Sequence, residues 1–264
     1  MICSACGTQY NNKEIKDGHC KICDDDRQYV PETGQAWISP DELQKDHAVQ
    51  VRQVCDNLYS LTILPSFAIG QRAFLILSEN GNILWDCIPL LDEETEAFIT
   101  SKGGLRAIVV SHPHYYSNVG EWAETFHCPV FIHKKDEEWA PEFQDLILWK
   151  GEEKALWDGI KIINIGGHFP GSCIMHVPSL SPQGMVFCGD SLYISRNSKH
   201  VSVMYSYPNH IPVAWSEIER IVQMLANIQF DKMYGAFPYQ QLTDNVTCLL
   251  HLSMERYREA LPVN

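Results

Sequence analysis

A short apolar run that ends in two histidines is the feature that most limits how this chain can fold. Residues 105–110 are apolar except for Arg106 and follow Gly104, which predicts a buried strand, and His112 and His114 come just after it. Ligands bind at the carboxyl ends of strands in open sheets, and an extended His-x-His pair directs both imidazoles to one side. Such a pair suits a divalent metal ion. The alternative is a pair of surface-loop histidines that satisfy backbone groups.

Two further motifs place polar residues after runs typical of strands. His168 lies in the glycine-rich loop 166–172, and Asp190 follows an apolar run that ends at Cys188. With the two strand-end histidines, these motifs resemble the metallo-β-lactamase superfamily, whose signatures are a strand-end HxHxDH, a GGHTPGS-like loop and a strand-end GD. Their order and spacing match over roughly residues 50–264, which is most of the chain.

The resemblance implies an α/β fold, a four-layer αβ/βα sandwich with its site at one edge between two sheets. It also implies a first metal site with these ligands: His112, His114, His168 and Asp190. Three imidazoles and a carboxylate from separate strands are costly to bury as packing alone. We therefore expect one metal ion there, zinc or else iron or manganese, because these ligand types accept all three.

The ligands of the superfamily's second metal are largely missing. Tyr116 and Ser117 stand where the family pattern has Asp and His, and the chain reads Ala236, Phe237 where a late histidine should follow Gly235. A phenol and a hydroxyl bind zinc weakly because they must first lose a proton with a pKa near ~10 or higher. The sequence therefore predicts one metal in this site, not two.

Two Cys-x-x-Cys pairs near the amino terminus predict a small zinc ribbon with a hairpin turn around Asn11 and Asn12. The four thiol ligands are Cys3, Cys6, Cys20 and Cys23. A zinc ion with four cysteine ligands has no open position, so we expect it to support folding rather than catalysis. The alternatives are a redox dithiol or unpaired surface thiols.

A polar connector follows the ribbon and leads into a larger domain. Residues 24–45 are rich in charge, Pro and Gly and predict no core of their own, so we divide the chain into a ribbon and connector, 1–38, and a metallo-β-lactamase-like domain, 39–264. Tyr29 and Trp37 are expected to pack this connector on the main domain.

Alternating strand and helix signals run through the main domain. Asn80 and Gly81 separate two apolar runs and predict a hairpin, and Asp86, after the second run, is expected to support the metal ligands or, alternatively, to be a buried capping carboxylate. Helices are predicted over these ranges: 92–101, 118–126, 213–226 and 243–259. Strands are predicted over these ranges: 58–64, 73–77, 83–85, 105–110, 130–133, 160–165, 173–177, 185–188 and 232–234.

Composition narrows the functional classes. The chain has 264 residues, of which 45% are hydrophobic, and a net charge of −13, which disfavours a nucleic-acid backbone binder. No apolar run approaches the ~18 residues that a membrane span requires, and the amino terminus lacks a signal-peptide pattern. Six of the ten cysteines lie singly, which is typical of reduced thiols, so we expect a cytoplasmic protein. We also expect a small-molecule substrate, and neither nucleic acid nor a membrane as partner.

The predicted chemistry is hydrolysis of a small ester or thioester by a single metal-bound hydroxide. Four ligands fill a tetrahedron and would close the site, unless Asp190 binds at longer range and admits water. In the open case Asp190 would orient the hydroxide or accept its proton, and Tyr116 would donate a hydrogen bond to the developing oxyanion. The alternative for Tyr115 and Tyr116 is that they only fill the missing metal's place.

Three functions are compatible with these motifs. A metal-dependent hydrolase is the first, and a catalytically inactive binding protein with the same fold is the second, favoured by the lost second metal set. The third, a nucleic-acid-processing enzyme, is suggested by the ribbon. It is disfavoured by the charge and by the lack of room for the large inserted domain of such enzymes.

Overall fold

Two β-sheets lie face to face, and helices cover the outer side of each. The computed structural model of the chain describes residues 1–11, 15 and 17–261. The hairpin turn predicted around Asn11 and Asn12 lies partly outside these residues, because Asn12 is not among them. The predicted four-layer αβ/βα sandwich with an amino-terminal four-cysteine cluster is confirmed.

The two ends of the amino-terminal segment pair with each other before the first strand of the main sheets. Strand β1 (Ile2–Cys3) pairs antiparallel with β2 (Trp37–Ile38), and helix α1 (Pro40–Asp46) follows. This helix overlaps residues 24–45, predicted to be a polar connector without a core of its own. Its signal is a capping box, in which the Ser39 side chain accepts from the Glu42 backbone N–H and the Glu42 carboxylate accepts from the Ser39 N–H.

The first sheet has seven strands in the order in which they occur along the chain. Its elements and the two helices on its outer face are β3 (Ala48–Cys55), β4 (Leu58–Leu64), β5 (Ala73–Ile76), β6 (Ile83–Trp85), α2 (Glu93–Ser101), β7 (Ala107–Val109), α3 (Val119–Phe126), β8 (Val130–His133) and β9 (Leu146–Trp149). β3 to β6 form an antiparallel meander that includes the predicted hairpin, and β6 to β9 pair in parallel. The carboxyl ends of β6, β7 and β8 therefore share one edge.

The second half builds the facing sheet. Its elements are β10 (Glu153–Ala155), β11 (Lys161–Asn164), β12 (Cys173–Val177), β13 (Met185–Phe187), β14 (Tyr193–Ile194), β15 (Val201–Ser202), β16 (Met204–Ser206), β17 (Ile211–Pro212), α4 (Trp215–Leu225), β18 (Lys232–Tyr234), β19 (Gln241–Leu242) and α5 (Val246–Ala260). The six-stranded sheet has the order β10-β11-β12-β13-β18-β19, with β13 and β18 parallel. The hairpins β14-β15 and β16-β17 lie outside it.

The outer helices are amphipathic and bury one face each. Ile218, Ile221 and Leu225 of α4 recur at helical spacing and are buried against the second sheet, as are Leu250 and Met254 of α5. Within the ranges 1–11, 15 and 17–261, no helix combines the length and apolarity needed to cross a membrane.

Aromatic rings fill the space between the two sheets. Phe74 of β5 and Phe187 of β13 are buried with ring centroids 4.9 Å apart, and Tyr234 of β18 lies 5.8 Å and 6.0 Å from them. These three side chains come from different strands of the two sheets. Their packing therefore joins the halves of the sandwich.

Replacing Phe187 with alanine is expected to lower the free energy of unfolding by about 3–5 kcal/mol, because the buried ring leaves a cavity between the sheets. Chemical denaturation measures this loss. Ile147→Ala on β9 is the control, since Ile147 is 39% exposed and should cost less than about 1 kcal/mol. Equal losses in the two variants would contradict the proposed joining role.

Candidate metal centre and active-site cavity

Two histidines reach the site from the end of β7. His112 ends the extended segment with φ −168°, and its Nδ1 lies 2.9 Å from the Ser111 hydroxyl. His114 lies in a 3₁₀ turn, Pro113–Tyr115, so the prediction of an extended His-x-His pair is wrong in its backbone geometry. The turn still brings the two imidazoles together, with ring centroids 5.0 Å apart.

His168 comes from the loop that follows β11. Its Nδ1 lies 2.9 Å from the backbone carbonyl of Tyr205 and donates to it, which leaves Nε2 free to face the site. The side-chain amide of Asn164, the last residue of β11, donates to the carbonyls of Pro170 and Ser172. These bonds hold the glycine-rich loop, and hence the imidazole, in one position.

Asp190 reaches the same place from the end of β13. The preceding Gly189 has φ +49°, and a Cβ on it would lie 2.5 Å from the Ser111 hydroxyl oxygen, so the loop can approach β7 this closely only with glycine there. The Tyr207 hydroxyl donates to the Asp190 backbone carbonyl over 2.6 Å. The Asp190 carboxylate then lies 3.5 Å from Nε2 of His112.

The four side chains form a buried donor set that fits a divalent metal ion. One ligand atom from each of His112, His114, His168 and Asp190 lies within 4.8 Å of the others. Nε2 of His112, Nε2 of His114 and Oδ1 of Asp190 are buried without a hydrogen-bond partner. Nδ1 of His114 faces Nε2 of His168 at 3.3 Å. Unpaired buried polar atoms are costly, and a cation bound between them would satisfy the site.

Burial keeps the site in the protonation state that metal binding needs. Desolvation and the neighbouring imidazoles lower the pKa of His114 well below its ordinary value and lower the pKa of His168 to about 3. Burial acts to raise the pKa of Asp190, but the adjacent His112 outweighs it, and the net shift is downward. Near neutral pH the imidazoles of His114 and His168 are therefore neutral, and Asp190 is a carboxylate.

Asp86 supports the site from behind. It follows β6, and its Oδ1 accepts the backbone N–H of Ser111 at 2.8 Å, while the Ser111 hydroxyl contacts Nδ1 of His112. Burial raises the pKa of Asp86 to about 7, opposed by the hydrogen bonds from Ser111. Asp86 thus fixes the residue that orients His112, which agrees with the supporting role expected from the sequence.

The residues at the second-metal positions have other contacts. The Ser117 hydroxyl donates to the Cys87 carbonyl and accepts from Gln71, so it is part of a buried hydrogen-bond cluster. Phe237, near the expected late histidine, presents an aromatic ring to the cavity and stacks with Tyr239. Among the described residues, three or more potential metal-binding side chains gather only at the four-cysteine and His/Asp groups.

The phenol beside the metal centre is Tyr115, not Tyr116. The Tyr116 hydroxyl lies 3.5 Å from the Asp136 backbone carbonyl, and burial and Asp136 raise its pKa well above the ordinary value. Burial and Asp190 do the same for Tyr115, whose ring centroid lies 4.4 Å from that of His112. The predicted catalytic position of Tyr116 is therefore corrected. The 3₁₀ turn explains the change, because it alters which of the two buried tyrosine side chains lies beside His112.

The four cysteines also form a buried donor set. The pairs Cys3–Cys23 and Cys6–Cys20 have Sγ–Sγ distances of 3.6 Å and 3.5 Å, and the four sulfur atoms lie within 4.8 Å of one another. These distances exceed a disulfide bond length of about 2 Å and suit sulfur atoms that surround one ion. The amide of Gln35 donates to the Cys3 sulfur at 3.0 Å, which is favourable for a thiolate.

A cavity of about 500 Å³ opens onto the metal centre. Its lining is mainly apolar and aromatic and consists of Arg27, Gln28, Tyr29, Ile69, His114, Asp190, Tyr193, Ser202, Met204, Tyr207, Pro208, His210 and Phe237. Tyr29 is 61% exposed and forms part of this wall, so the prediction that it packs the connector on the main domain is wrong. Trp37 is partly buried against the core, as predicted.

A buried carboxylate, Asp136, lies behind the His168 loop. It is 1% exposed, its Oδ1 accepts the Gly171 N–H at 2.6 Å, and burial raises its pKa to about 7. A Cβ on Gly171 would lie 2.5 Å from the carboxyl carbon, so the loop and this side chain are in close contact. Asp136 thereby links the loop to the first sheet.

Metal analysis tests the two donor sets. We expect two equivalents of metal in the purified protein, one equivalent after Cys3→Ser with Cys6→Ser, and one after His168→Ala, because each change removes ligands from one set only. Elemental analysis of the three proteins measures these values. Three equivalents in the unchanged protein would contradict a single ion at the His/Asp group, and one would contradict two separate sites.

Asp136 should make stability depend on pH. Its folded-state pKa of about 7 lies above the unfolded value, so the stability that its proton contributes is complete below about pH 4 and is lost as the pH rises through about 7. Asp136→Asn keeps a hydrogen-bond acceptor for the Gly171 N–H but cannot become charged. Between pH 5 and pH 8 its free energy of unfolding should therefore fall by about 1 kcal/mol or more less than that of the unchanged protein. Asp46→Asn, at an exposed carboxylate of α1, is the control. Parallel pH curves for Asp136→Asn and the unchanged protein would rule the effect out.

Comparison with known proteins agrees with this geometry. The model of the Metallo-beta-lactamase superfamily matches residues 68–235. The "Uncharacterized protein YmaE" of Bacillus subtilis (strain 168) is 37% identical over 264 residues, 98% of this chain and 96% of that protein. DIM-1 metallo-beta-lactamase has a TM-score of 0.59 at 17% identity over 80% of this chain and 98% of its own. The metallo-beta-lactamase FIM-1 from Pseudomonas aeruginosa, in its mono-zinc form, has a TM-score of 0.57 at 16% identity, over 79% of this chain and 96% of its own. The chain belongs to the metallo-β-lactamase superfamily.

Proposed function

We propose that this protein is a metal-dependent hydrolase that acts on a small ester- or thioester-type substrate with a single ion in the His/Asp site. The observation that carries the proposal is the set of four buried ligands at the floor of a cavity, with His114 and Asp190 among the residues that line it. A donor set beneath an open cavity gives a substrate access to the ion, which a purely structural site does not need.

The chain's own residues supply the remaining parts of such a reaction. When bound, the ion would polarise the substrate carbonyl and lower the pKa of a water molecule. Oδ1 of Asp190 has no hydrogen-bond partner and is available to orient that water or to accept its proton. The apolar lining excludes water from the acyl group and favours a substrate with an apolar or aromatic portion.

Tyr115 takes the role that the sequence assigned to Tyr116, in a modified form. Its hydroxyl is fully buried, has no hydrogen-bond partner among the described residues and stays protonated near neutral pH. We propose that it positions Asp190 by donating a hydrogen bond to the carboxylate during turnover. Because Tyr115 does not line the cavity, it acts on Asp190 and not on the substrate.

A single ion is the second part of the proposal. Tyr116, Ser117 and Phe237 replace the second ligand set, and a tyrosine, a serine hydroxyl and an aromatic ring bind zinc poorly. The mono-zinc form of FIM-1 supports the idea that this fold accommodates one ion. Zinc is the metal we expect, with iron or manganese as alternatives.

Residues 1–38 are proposed to be a structural zinc ribbon and connector, and residues 39–264 to provide the hydrolase domain. A cytoplasmic location fits four thiols that must stay reduced to bind metal. A small-molecule substrate fits the cavity of about 500 Å³, and a net charge of −13 is unfavourable for nucleic acid.

Assays with ester, thioester and phosphodiester substrates test this function. We expect turnover of esters or thioesters, and a loss of about 100-fold or more in kcat for Asp190→Asn, which keeps the shape but cannot accept a proton. Tyr115→Phe should lower kcat about tenfold, the effect of one hydrogen bond, whereas the matched Tyr116→Phe should leave it unchanged.

The metal content of each variant is the control in these assays. An unchanged kcat in Tyr115→Phe would eliminate the positioning role. A protein that binds both metals yet turns over none of the substrates would favour the alternative, a catalytically inactive binding protein, which the loss of the second ligand set supports. Turnover of phosphodiesters alone would favour a nucleic-acid-processing enzyme instead.

A further inference from the structure

The connector that follows Cys23 lies against the metal centre. Arg27, four positions after this cysteine, is only 8% exposed, and its Nη1 donates to the backbone carbonyl of His168 over 3.2 Å. The two residues are 141 positions apart in the chain. A residue from the amino-terminal ribbon thus holds the main chain of a proposed metal ligand.

Arg27 is fixed on all sides. Its guanidinium forms a two-point ion pair with Asp25, with Nε–Oδ1 and Nη2–Oδ2 distances of 2.6 Å. The guanidinium carbon lies 3.8 Å from the ring centroid of Phe169 and 5.1 Å from that of Trp139. A planar guanidinium that is paired, stacked and hydrogen-bonded has little freedom, so it can transmit the position of the connector to the loop.

Asp26 fixes His168 from the other side. Its carboxylate accepts from the Tyr205 hydroxyl at 2.9 Å, and its backbone carbonyl accepts from Ser206 and from Asn209, each at 2.7 Å. The backbone carbonyl of the same Tyr205 accepts Nδ1 of His168. The connector therefore holds both the backbone of His168 and the strand that orients its imidazole.

The next two residues of the connector reach the substrate cavity. Gln28 and Tyr29 line it together with Arg27 and with residues that follow β13 and β18. The position of this wall depends on where the chain leaves the four-cysteine group. One segment of five residues, 25–29, thus contacts the loop that contains His168 and also lines the cavity.

We propose that Arg27 is a positioning residue of the His/Asp site and that occupancy of the four-cysteine site, acting through residues 25–29, strengthens metal binding there. The ribbon is then a working part of the active site and not only an aid to folding. By thermodynamic reciprocity, metal in the His/Asp site strengthens metal binding by the four cysteines. The inference rests on the proposed function only in requiring a metal at the His/Asp site.

Cobalt(II) binding to the full chain tests the role of Arg27. Cobalt bound to thiolates shows sulfur-to-metal charge-transfer absorption, and cobalt bound to nitrogen and oxygen shows only weaker d–d bands, so the two sites are read separately. We expect Arg27→Met to weaken cobalt binding at the His/Asp site by about 10- to 100-fold, the usual effect of losing a residue that supports a ligand.

Arg106→Met is the matched control. Arg106 also lies over an aromatic ring, that of Trp157 at 4.4 Å, and also donates to a backbone carbonyl, but it contacts neither metal group. Both affinities should be unchanged in this variant. If Arg27→Met fails to fold, Arg27→Lys replaces it, because one ammonium cannot pair with Asp25 and reach the His168 carbonyl in the same geometry. Equal His/Asp-site affinities in the Arg27 and Arg106 variants would overturn the proposal.

A double-mutant cycle tests the route of the coupling. Cys3→Ser with Cys6→Ser should weaken cobalt binding at the His/Asp site, and adding Arg27→Met should cause little further loss, because both changes interrupt one path. Independent, multiplicative losses would overturn coupling through Arg27. If the protein shows the expected coupling of metal affinities but hydrolyses no substrate, the proposed hydrolase function fails and the coupling stands. Failure of the proposed function and failure of the coupling are therefore distinguishable.

Discussion

Four polar side chains are buried where the edges of the two sheets meet, and three of them, His112, His114 and Asp190, have polar atoms without a hydrogen-bond partner. The active-site region depends on how the desolvation of this group is offset. His112 and Asp190 come from the carboxyl ends of strands in different sheets, and His168 comes from a loop beside them. Unpaired atoms of this kind would destabilise the fold unless a cation bound between them. The core packing of Phe74 and Phe187 brings the sheets together. An ion held by the four side chains would make that approach favourable at the site edge.

The supporting contacts occupy one ring nitrogen of His112 and one of His168, and the other nitrogen of each ring faces the site. The carbonyl of Tyr205 occupies Nδ1 of His168, and the Ser111 hydroxyl contacts Nδ1 of His112. Asp86 fixes Ser111 in turn. Such outer contacts select the ring orientation before a metal arrives, so less order has to be created on binding. The same principle explains why a buried arginine from the ribbon would influence a histidine far away in the sequence.

The sequence was informative where local rules determine position. An apolar run followed by a polar residue located the ends of β7 and β13, and thus His112 and Asp190. It was misleading where one backbone turn decides which side chain faces the metal centre, as with Tyr115 and Tyr116. Arg27 carried no local signal, because its role arises from a contact across 141 positions. Helix α1 did have a signal, the capping box at Ser39, which the polar composition around it obscured.

The pairing of β1 with β2 has a consequence for how the chain can be divided. Ile2 and Ile22 are buried in the same core cluster as Leu43 and the residues beneath α2 and α3. Cutting the chain after residue 38 would therefore expose an apolar surface on the larger fragment. It would also separate Arg27 from the loop that contains His168. Exchange of either part for an unrelated module would therefore require a new set of packing contacts at the shared core.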